Sequence, residues 1–192
     1  LHILIEHVPC SEHDPAGNPT AYRKRSFFAF LPLNPEDSLS SLLRLATLCT
    51  ERWSHEVTSR GSTPTKFLFT LADCTVREFT AGFRVFSWSQ ENSTRNGQLH
   101  SALAALEKWL CMQIDRGVDV TPYLNDLLRA SHSLAVVGVL INVGKYKPDL
   151  FKGPLRPLLG EDILYFWDHH RVDNAEMGAD MSSWARGGEL IF

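Results

Sequence analysis

The 192-residue sequence lacks an excess of charge of either sign. Nineteen lysines and arginines stand against 22 aspartates and glutamates, which gives a net charge of -3, and the basic residues are scattered along the chain. Proteins that bind nucleic acid or an anionic membrane usually concentrate basic residues in one region. We therefore expect no membrane partner, and the sequence gives no strong signal for a nucleic-acid partner.

Cysteines and long apolar runs are also scarce. The longest apolar run, Leu134 to Val143, is about half of the roughly 20 residues that a membrane helix requires. The first residues do not resemble a secretory signal peptide. The four cysteines lack the paired spacing of a zinc ribbon or a disulfide framework. These features predict a soluble, cytoplasmic protein with reduced thiols. The cysteines are Cys10, Cys49, Cys74 and Cys111.

Recognisable catalytic and cofactor motifs are missing from the sequence. It contains no Gly-x-Gly-x-x-Gly motif and no phosphate loop, the sequences that cradle nucleotide phosphates. No Ser-His-Asp or Cys-His set for nucleophilic catalysis can be assembled from it. We therefore assign no catalytic, cofactor-binding or metal-binding residue to this chain, and we expect the chain itself to be non-catalytic.

Helical periodicity is the strongest feature that is present. Between Gln98 and Asp115, one apolar row recurs every three or four residues from Leu99 to Ile114, and a second row that includes Ala102 and Trp109 widens it. An apolar stripe of this width predicts a helix that is covered on two sides.

Two further helices are predicted immediately downstream. Thr121 is a candidate N-cap, with Pro122 at the first helical position. Ser131 or Ser133 can cap a third helix over Leu134 to Tyr146, which we expect to be the most buried helix. Pro148 prevents this helix from continuing. Asn142, inside this apolar run, requires a hydrogen-bonding partner, and we interpret it as structural.

The upstream part mixes a helix with strands. Asn34 and Pro35 predict the start of a helix that runs over residues 35–56. Residues 66–89 alternate and are rich in aromatic residues, which predicts a β-hairpin with its bend at Thr80 to Gly82. The predicted fold is mainly α, with αα-hairpins of the armadillo or HEAT type and a small inserted β-hairpin or sheet. The predicted parts are a mixed α/β part (1–97), a helical-hairpin segment (98–170) and an irregular end (171–192).

Two clusters contain metal-ligating residue types. His7, Cys10 and His13, with Asp14, lie in one polar loop, but a closed zinc site needs a second group of ligands. The alternative for this cluster is ordinary loop polarity.

The second cluster is Asp168-His169-His170, which resembles the short signature of the DHH phosphoesterases. In that family, aspartates and histidines bind divalent metal to activate water. This resemblance implies an alternative function, a fragment of a metal-dependent hydrolase or phosphoesterase that uses these three residues together with Asp173. The family also requires aspartate motifs at strand ends well upstream in a parallel α/β domain, whereas the residues before this triplet are helical in type.

A second family resemblance is carried by four stretches, residues 86–90, 101–110, 139–146 and 150–155. They resemble an internal helical region of large bacterial ATP-binding proteins of the STAND or NACHT-like type, and the resemblance covers about Val85 to Trp167. It implies an upstream nucleotide-binding domain that uses ATP and Mg and, as in some members of that family, a role in defence against phage. The matching motifs are packing motifs, so the resemblance assigns no site residue here.

Both ends of the sequence are apolar, Leu1 to Ile5 at the start and Leu190 to Phe192 at the finish. Natural termini are usually polar, so we expect the chain to be an internal piece of a longer polypeptide. The leading hypothesis is a non-catalytic scaffold or interaction module within a larger ATP-dependent protein. Its expected partners are the rest of that polypeptide and either another protein or a second copy of the chain.

Overall fold

The computed structural model describes residues 26–71, 73–89 and 97–176. The chain divides into two compact units, residues 1–159 and 160–192. The predicted cluster of His7, Cys10 and His13 lies outside the described residues. Within the described part, no helix is long and apolar enough to cross a lipid bilayer.

Helices dominate the described part of the chain. Two 3₁₀ turns, Pro148–Lys152 and Arg156–Gly160, follow the last helix of the first unit. The prediction of a mainly helical fold with a small inserted antiparallel hairpin is confirmed. The elements of the first unit are α1 (Phe27–Phe30), α2 (Pro35–Ser59), β1 (Thr65–Thr70), β2 (Val76–Ala81), α3 (Phe83–Ser87), α4 (Gly97–Asp115), α5 (Thr121–Ala130) and α6 (Leu134–Tyr146), and the second unit contains α7 (Asp162–Glu176).

Helix α2 begins where the sequence predicts. The side chain of Asn34 accepts a hydrogen bond from the Asp37 amide at 3.3 Å, and Pro35 occupies the first turn, where its missing amide proton is not needed. The helix continues to Ser59, a little beyond the predicted end at residue 56.

Helix α6 forms the centre of the first unit. It spans the predicted residues, and its side chains are buried from Leu134 through Ile141 without interruption. It packs against α4, and the Asn142 amide donates to a Glu107 carboxylate oxygen at 2.8 Å across that contact. The partner that Asn142 requires is therefore on α4, which supports its structural interpretation.

A glycine allows the chain after α6 to fold back onto it. A Cβ atom at Gly144 would lie 2.4 Å from Cζ of Phe151 and 3.0 Å from Cδ1 of Leu155. These distances are too short for a real contact, so the two apolar side chains occupy the space that a larger residue would need.

The predicted start of α5 is wrong by one residue. Thr121 is the first helical residue rather than the N-cap, and Val120 is the capping residue. The Asp119 side chain accepts from the Thr121 amide at 2.9 Å. The Asp119 carboxylate therefore satisfies the first amide of the helix, and no side-chain hydrogen bond is formed by the N-cap residue itself.

The predicted position of the hairpin bend is also wrong. Strands β1 and β2 pair with Thr70 opposite Val76, so the turn lies between Leu71 and Thr75. The Asp73 side chain accepts from the Thr75 amide at 3.0 Å, which closes an Asx turn. Cys74 adopts a left-handed φ of 64° in this turn.

Gly82 has a different role from the predicted one. It follows β2 and precedes α3, in extended backbone with φ -176°. A Cβ atom there would lie 2.8 Å from the ring of Trp53 on α2, so this glycine permits close packing of the tryptophan. Val85 and Phe86, predicted in the hairpin, are helical and both buried, because α3 packs against α6.

Candidate functional site

The β-hairpin combines a packed inner face with an open outer face. On the inner face, the rings of Phe69 and Phe79 meet edge to face, with centroids 5.0 Å apart, and both are buried. On the outer face, Leu68 is 59% exposed and Val76 is 57% exposed. The outer face therefore presents apolar side chains to solvent.

An ion pair borders these apolar side chains. The Lys66 ammonium lies 2.9 Å from a Glu78 carboxylate oxygen on the same outer face. Both side chains are largely exposed, so the pair contributes little to stability. Its main effect is to place one charge of each sign beside the apolar centre.

Strand β1 is the outer edge of the two-stranded sheet. The Leu71 amide donates to the Thr75 carbonyl at 2.8 Å. Because backbone groups alternate in direction along an antiparallel pair, Phe67 and Phe69 direct theirs towards β2. Lys66, Leu68 and Thr70 therefore direct their amide and carbonyl groups outward. All three have exposed side chains.

The opposite edge of the sheet, on β2, is held by the turn between α5 and α6. The Thr80 amide points away from β1 and donates to the His132 carbonyl at 3.0 Å. Thr80 also forms a parallel bridge with Ser133. The hairpin is thus fixed to the helices along β2. Strand β1 therefore lies on the side of the hairpin that faces away from this attachment.

Buried hydroxyl groups connect this turn to α2. Thr50 Oγ1 lies 2.7 Å from Ser133 Oγ and donates to the Ala46 carbonyl at 2.8 Å. Ser133 also caps α6 by accepting from the Ala135 amide, and its own amide donates to Ser131 Oγ. Every hydroxyl in this junction has a partner, as buried polar groups require.

A shallow groove of about 560 Å³ lies over this junction. Its walls come from α2, where Glu51 and His55 lie, from Thr80 and from His132. Nε2 of His132 lies 3.2 Å from Nη2 of Arg77. A guanidinium has only donors, so this imidazole nitrogen accepts and is occupied by a structural contact. The groove is lined by side chains of polar residue types, and one of its two histidines, His132, is held by the hairpin.

A second, smaller hollow of about 270 Å³ lies beside the hairpin turn, between Leu71 and the end of α5. Its charged groups are Asp73 and Arg129, whose Oδ2 and Nη2 atoms are 2.9 Å apart. The hydrogen bond from the Thr75 amide lowers the pKa of Asp73, and Arg129 lowers it further. Asp73 thus closes the turn and also ties it to α5.

The predicted hydrolase residues all lie on α7, in the second unit. Asp168, His169 and His170 are consecutive in that helix, where each residue is rotated about 100° from the previous one. The His170 ring packs against Phe166, with centroids 4.3 Å apart. Helix α7 also contains Asp173 and continues past the predicted boundary at residue 170 to Glu176. The helix alone does not bring the three consecutive side chains of Asp168, His169 and His170 to one point.

Among the described residues, no group of three or more His, Cys, Asp or Glu side chains lies close enough together to hold a metal ion. The predicted clusters remain hypotheses. Sequence reasoning missed the open edge of β1 and the junction of Thr50 with Ser133. In β1, Lys66, Leu68 and Thr70 alternate with Phe67 and Phe69, and this pattern was a usable signal for the open edge. Thr50 and Ser133 are too far apart in sequence to give a signal for the junction.

No protein-family model, curated protein or solved structure matches this chain. The resemblance to STAND or NACHT-like proteins therefore stays a prediction from the sequence.

Proposed function

We propose that this chain is a non-catalytic scaffold and interaction module of a larger, ATP-dependent, cytoplasmic bacterial protein of the STAND or NACHT-like type. A neighbouring domain would supply ATP and Mg binding. In this role the chain holds one surface rigidly and presents it to a partner.

The observation that carries this proposal is the β-hairpin. It is fixed through β2 to a buried junction, while Leu68 and Val76 on its outer face and the edge of β1 are exposed. Exposed apolar side chains rimmed by charge are typical of protein interaction sites. The polar groups beneath are engaged in structural hydrogen bonds, such as that between Thr50 and Ser133, which favours support over chemistry.

The test has a genetic part and a biochemical part. The reading frame on either side of this chain should contain a phosphate-loop motif between a predicted strand and a helix. A reading frame without one would contradict the ATP-dependent context.

In the biochemical part, the purified chain should give no rate above buffer with Mg-ATP, or with manganese and a phosphodiester. Turnover that disappears in Asp168→Asn would instead establish the hydrolase alternative. Tyr165→Phe, also on α7, is the matched control and should leave any such turnover unchanged.

A further inference from the structure

The exposed strand β1 is complementary to itself. When two copies of Thr65–Thr70 are placed antiparallel around Leu68, Leu68 faces Leu68 of the second copy, Phe67 faces Phe69, and Lys66 faces Thr70. No like charges are opposed, and like charges directly opposite each other destabilise a strand pair. The outward amide and carbonyl groups of Lys66, Leu68 and Thr70 then all gain partners.

We propose that β1 pairs antiparallel with β1 of a second copy of this chain, on a two-fold axis at Leu68, to form a four-stranded sheet. This inference rests on the proposed function, because it names the partner of that interaction surface. A two-fold contact uses the same patch on both copies, so β1 must be self-complementary, as it is.

Side-chain pairing selects this axis over its neighbours. An axis at Phe67 or Phe69 would also use the outward backbone groups, but it would place Leu68 opposite Lys66 or opposite Thr70 instead of opposite a second Leu68. An axis at Lys66 would oppose two lysines, and an axis at Thr70 would leave Leu68 without a β1 residue opposite it. The axis at Leu68 avoids these penalties.

The outer face supports the same arrangement. Leu68 lies at the centre, Val76 lies on the same face of the neighbouring strand, and the Lys66–Glu78 ion pair lies beside them. Pairing across the axis would cover apolar area at the middle and leave charges at the rim, the usual distribution in protein interfaces. It would also extend a two-stranded hairpin, which is marginal by itself.

The experiment measures the mass of the full chain by sedimentation equilibrium across a micromolar concentration series. The wild-type chain should approach twice its mass of 21.7 kDa. Leu68→Lys and Leu68→Glu should each raise the dissociation constant about tenfold or more, equivalent to about 1.4 kcal/mol. An equimolar mixture of the two variants should restore the double mass, because opposite charges then meet on the axis.

A matched control is Leu48→Lys, at a leucine of α2 that is 54% exposed. This variant should dimerise as the wild type does. A third variant, Leu68→Pro, removes an outward amide that β1 does not use towards β2, so it should remain folded and be monomeric. If a charged variant does not fold, Leu68→Pro tests the pairing of β1 in its place.

A wild-type chain that stays monomeric in the upper micromolar range would overturn the proposal. So would Leu68 variants that dimerise like the wild type, or a mixture that stays monomeric. Each of these outcomes leaves the proposed function standing, because the partner would then be another protein. Catalytic turnover by the monomer would instead defeat the proposed function.

Discussion

Helix α6 and strand β1 belong to the same unit but differ in how many of their sides are covered. From Leu134 to Ile141 every residue of α6 is buried, whereas in β1 Phe69 is buried and its neighbour Leu68 is exposed. An element that is covered on all sides is positioned by packing, so substitutions in it change the free energy of unfolding. An element covered on one side retains a second face for a partner.

The largest effect is expected in α6. Leu140→Ala should lower the free energy of unfolding by about 2–5 kcal/mol, because this fully buried side chain leaves a cavity. Leu48→Ala, at an exposed leucine on α2, should change it by less than about 0.5 kcal/mol. Urea unfolding of the two variants measures this difference. Equal losses would break the contrast between covered and open surfaces.

The next effect concerns the close approach at Gly144. Gly144→Ala should destabilise by about 1–3 kcal/mol through overpacking, although alanine is the better helix former by about 1 kcal/mol. The added Cβ atom would meet the Phe151 ring at 2.4 Å. In a Phe151→Leu background, Gly144→Ala should lower the free energy of unfolding by a smaller amount. A stabilised Gly144→Ala variant would show that the space around α6 is looser than described.

A smaller effect is expected at the buried junction. Ser133→Ala removes the α6 cap and a partner of Thr50, and should cost about 1–2 kcal/mol. Thr50→Val should cost about 1 kcal/mol. Because the two hydroxyls share a hydrogen bond, the double variant should cost less than the sum. Chemical denaturation measures the three losses of unfolding free energy. If the loss in the double variant equals the sum of the two single losses, the hydroxyls do not interact.

The smallest effect lies at the hairpin turn and depends on pH. The Thr75 amide, and secondarily Arg129, hold the pKa of Asp73 below its usual value near 3.8. A lowered pKa in the folded state adds stability above the unfolded pKa, and this stability disappears as the pH falls through the folded pKa. We therefore expect Asp73 to stabilise the chain at neutral pH and to stop doing so in strong acid.

Two substitutions separate the contributions of charge and geometry at this turn. Asp73→Asn keeps an oxygen acceptor for the Thr75 amide but removes the charge, so it should reduce the acid dependence of thermal stability. Asp73→Ala removes both and should lower the melting temperature further at neutral pH. Identical melting curves for wild type and Asp73→Ala would refute a role for this turn.

Local signals in the sequence were sufficient for α2 and α6. Asn34 and Pro35 predicted the start of α2, and Ser131 or Ser133 together with Pro148 bounded α6, because caps and prolines act within one turn of a helix. The burial of α6 followed from its uninterrupted apolar run. These features depend on neighbours in sequence, so a single sequence reveals them.

Long-range contacts explain what the sequence could not predict. Gly82 was interpreted as a bend because glycine favours turns, but the Trp53 ring explains it. The actual turn relies on the Asp73 carboxylate and on a left-handed Cys74. The open edge of β1 depends on which strand edge the α5–α6 turn binds, through Thr80 and His132. Trp53 and His132 are far in sequence from Gly82 and Thr80, whereas the turn at Asp73 and Cys74 is local and was missed because the glycine was interpreted as the bend.

Residue-resolved amide hydrogen exchange on dilute protein tests the central claim, that a fully covered helix supports a strand whose outer edge is open. The account predicts the slowest exchange in α6, slow exchange at Phe67 and Phe69, and fast exchange at Leu68 between them. Protection of Leu68 equal to that of Phe67 at high dilution, or exchange in α6 as fast as at Leu68, would contradict it.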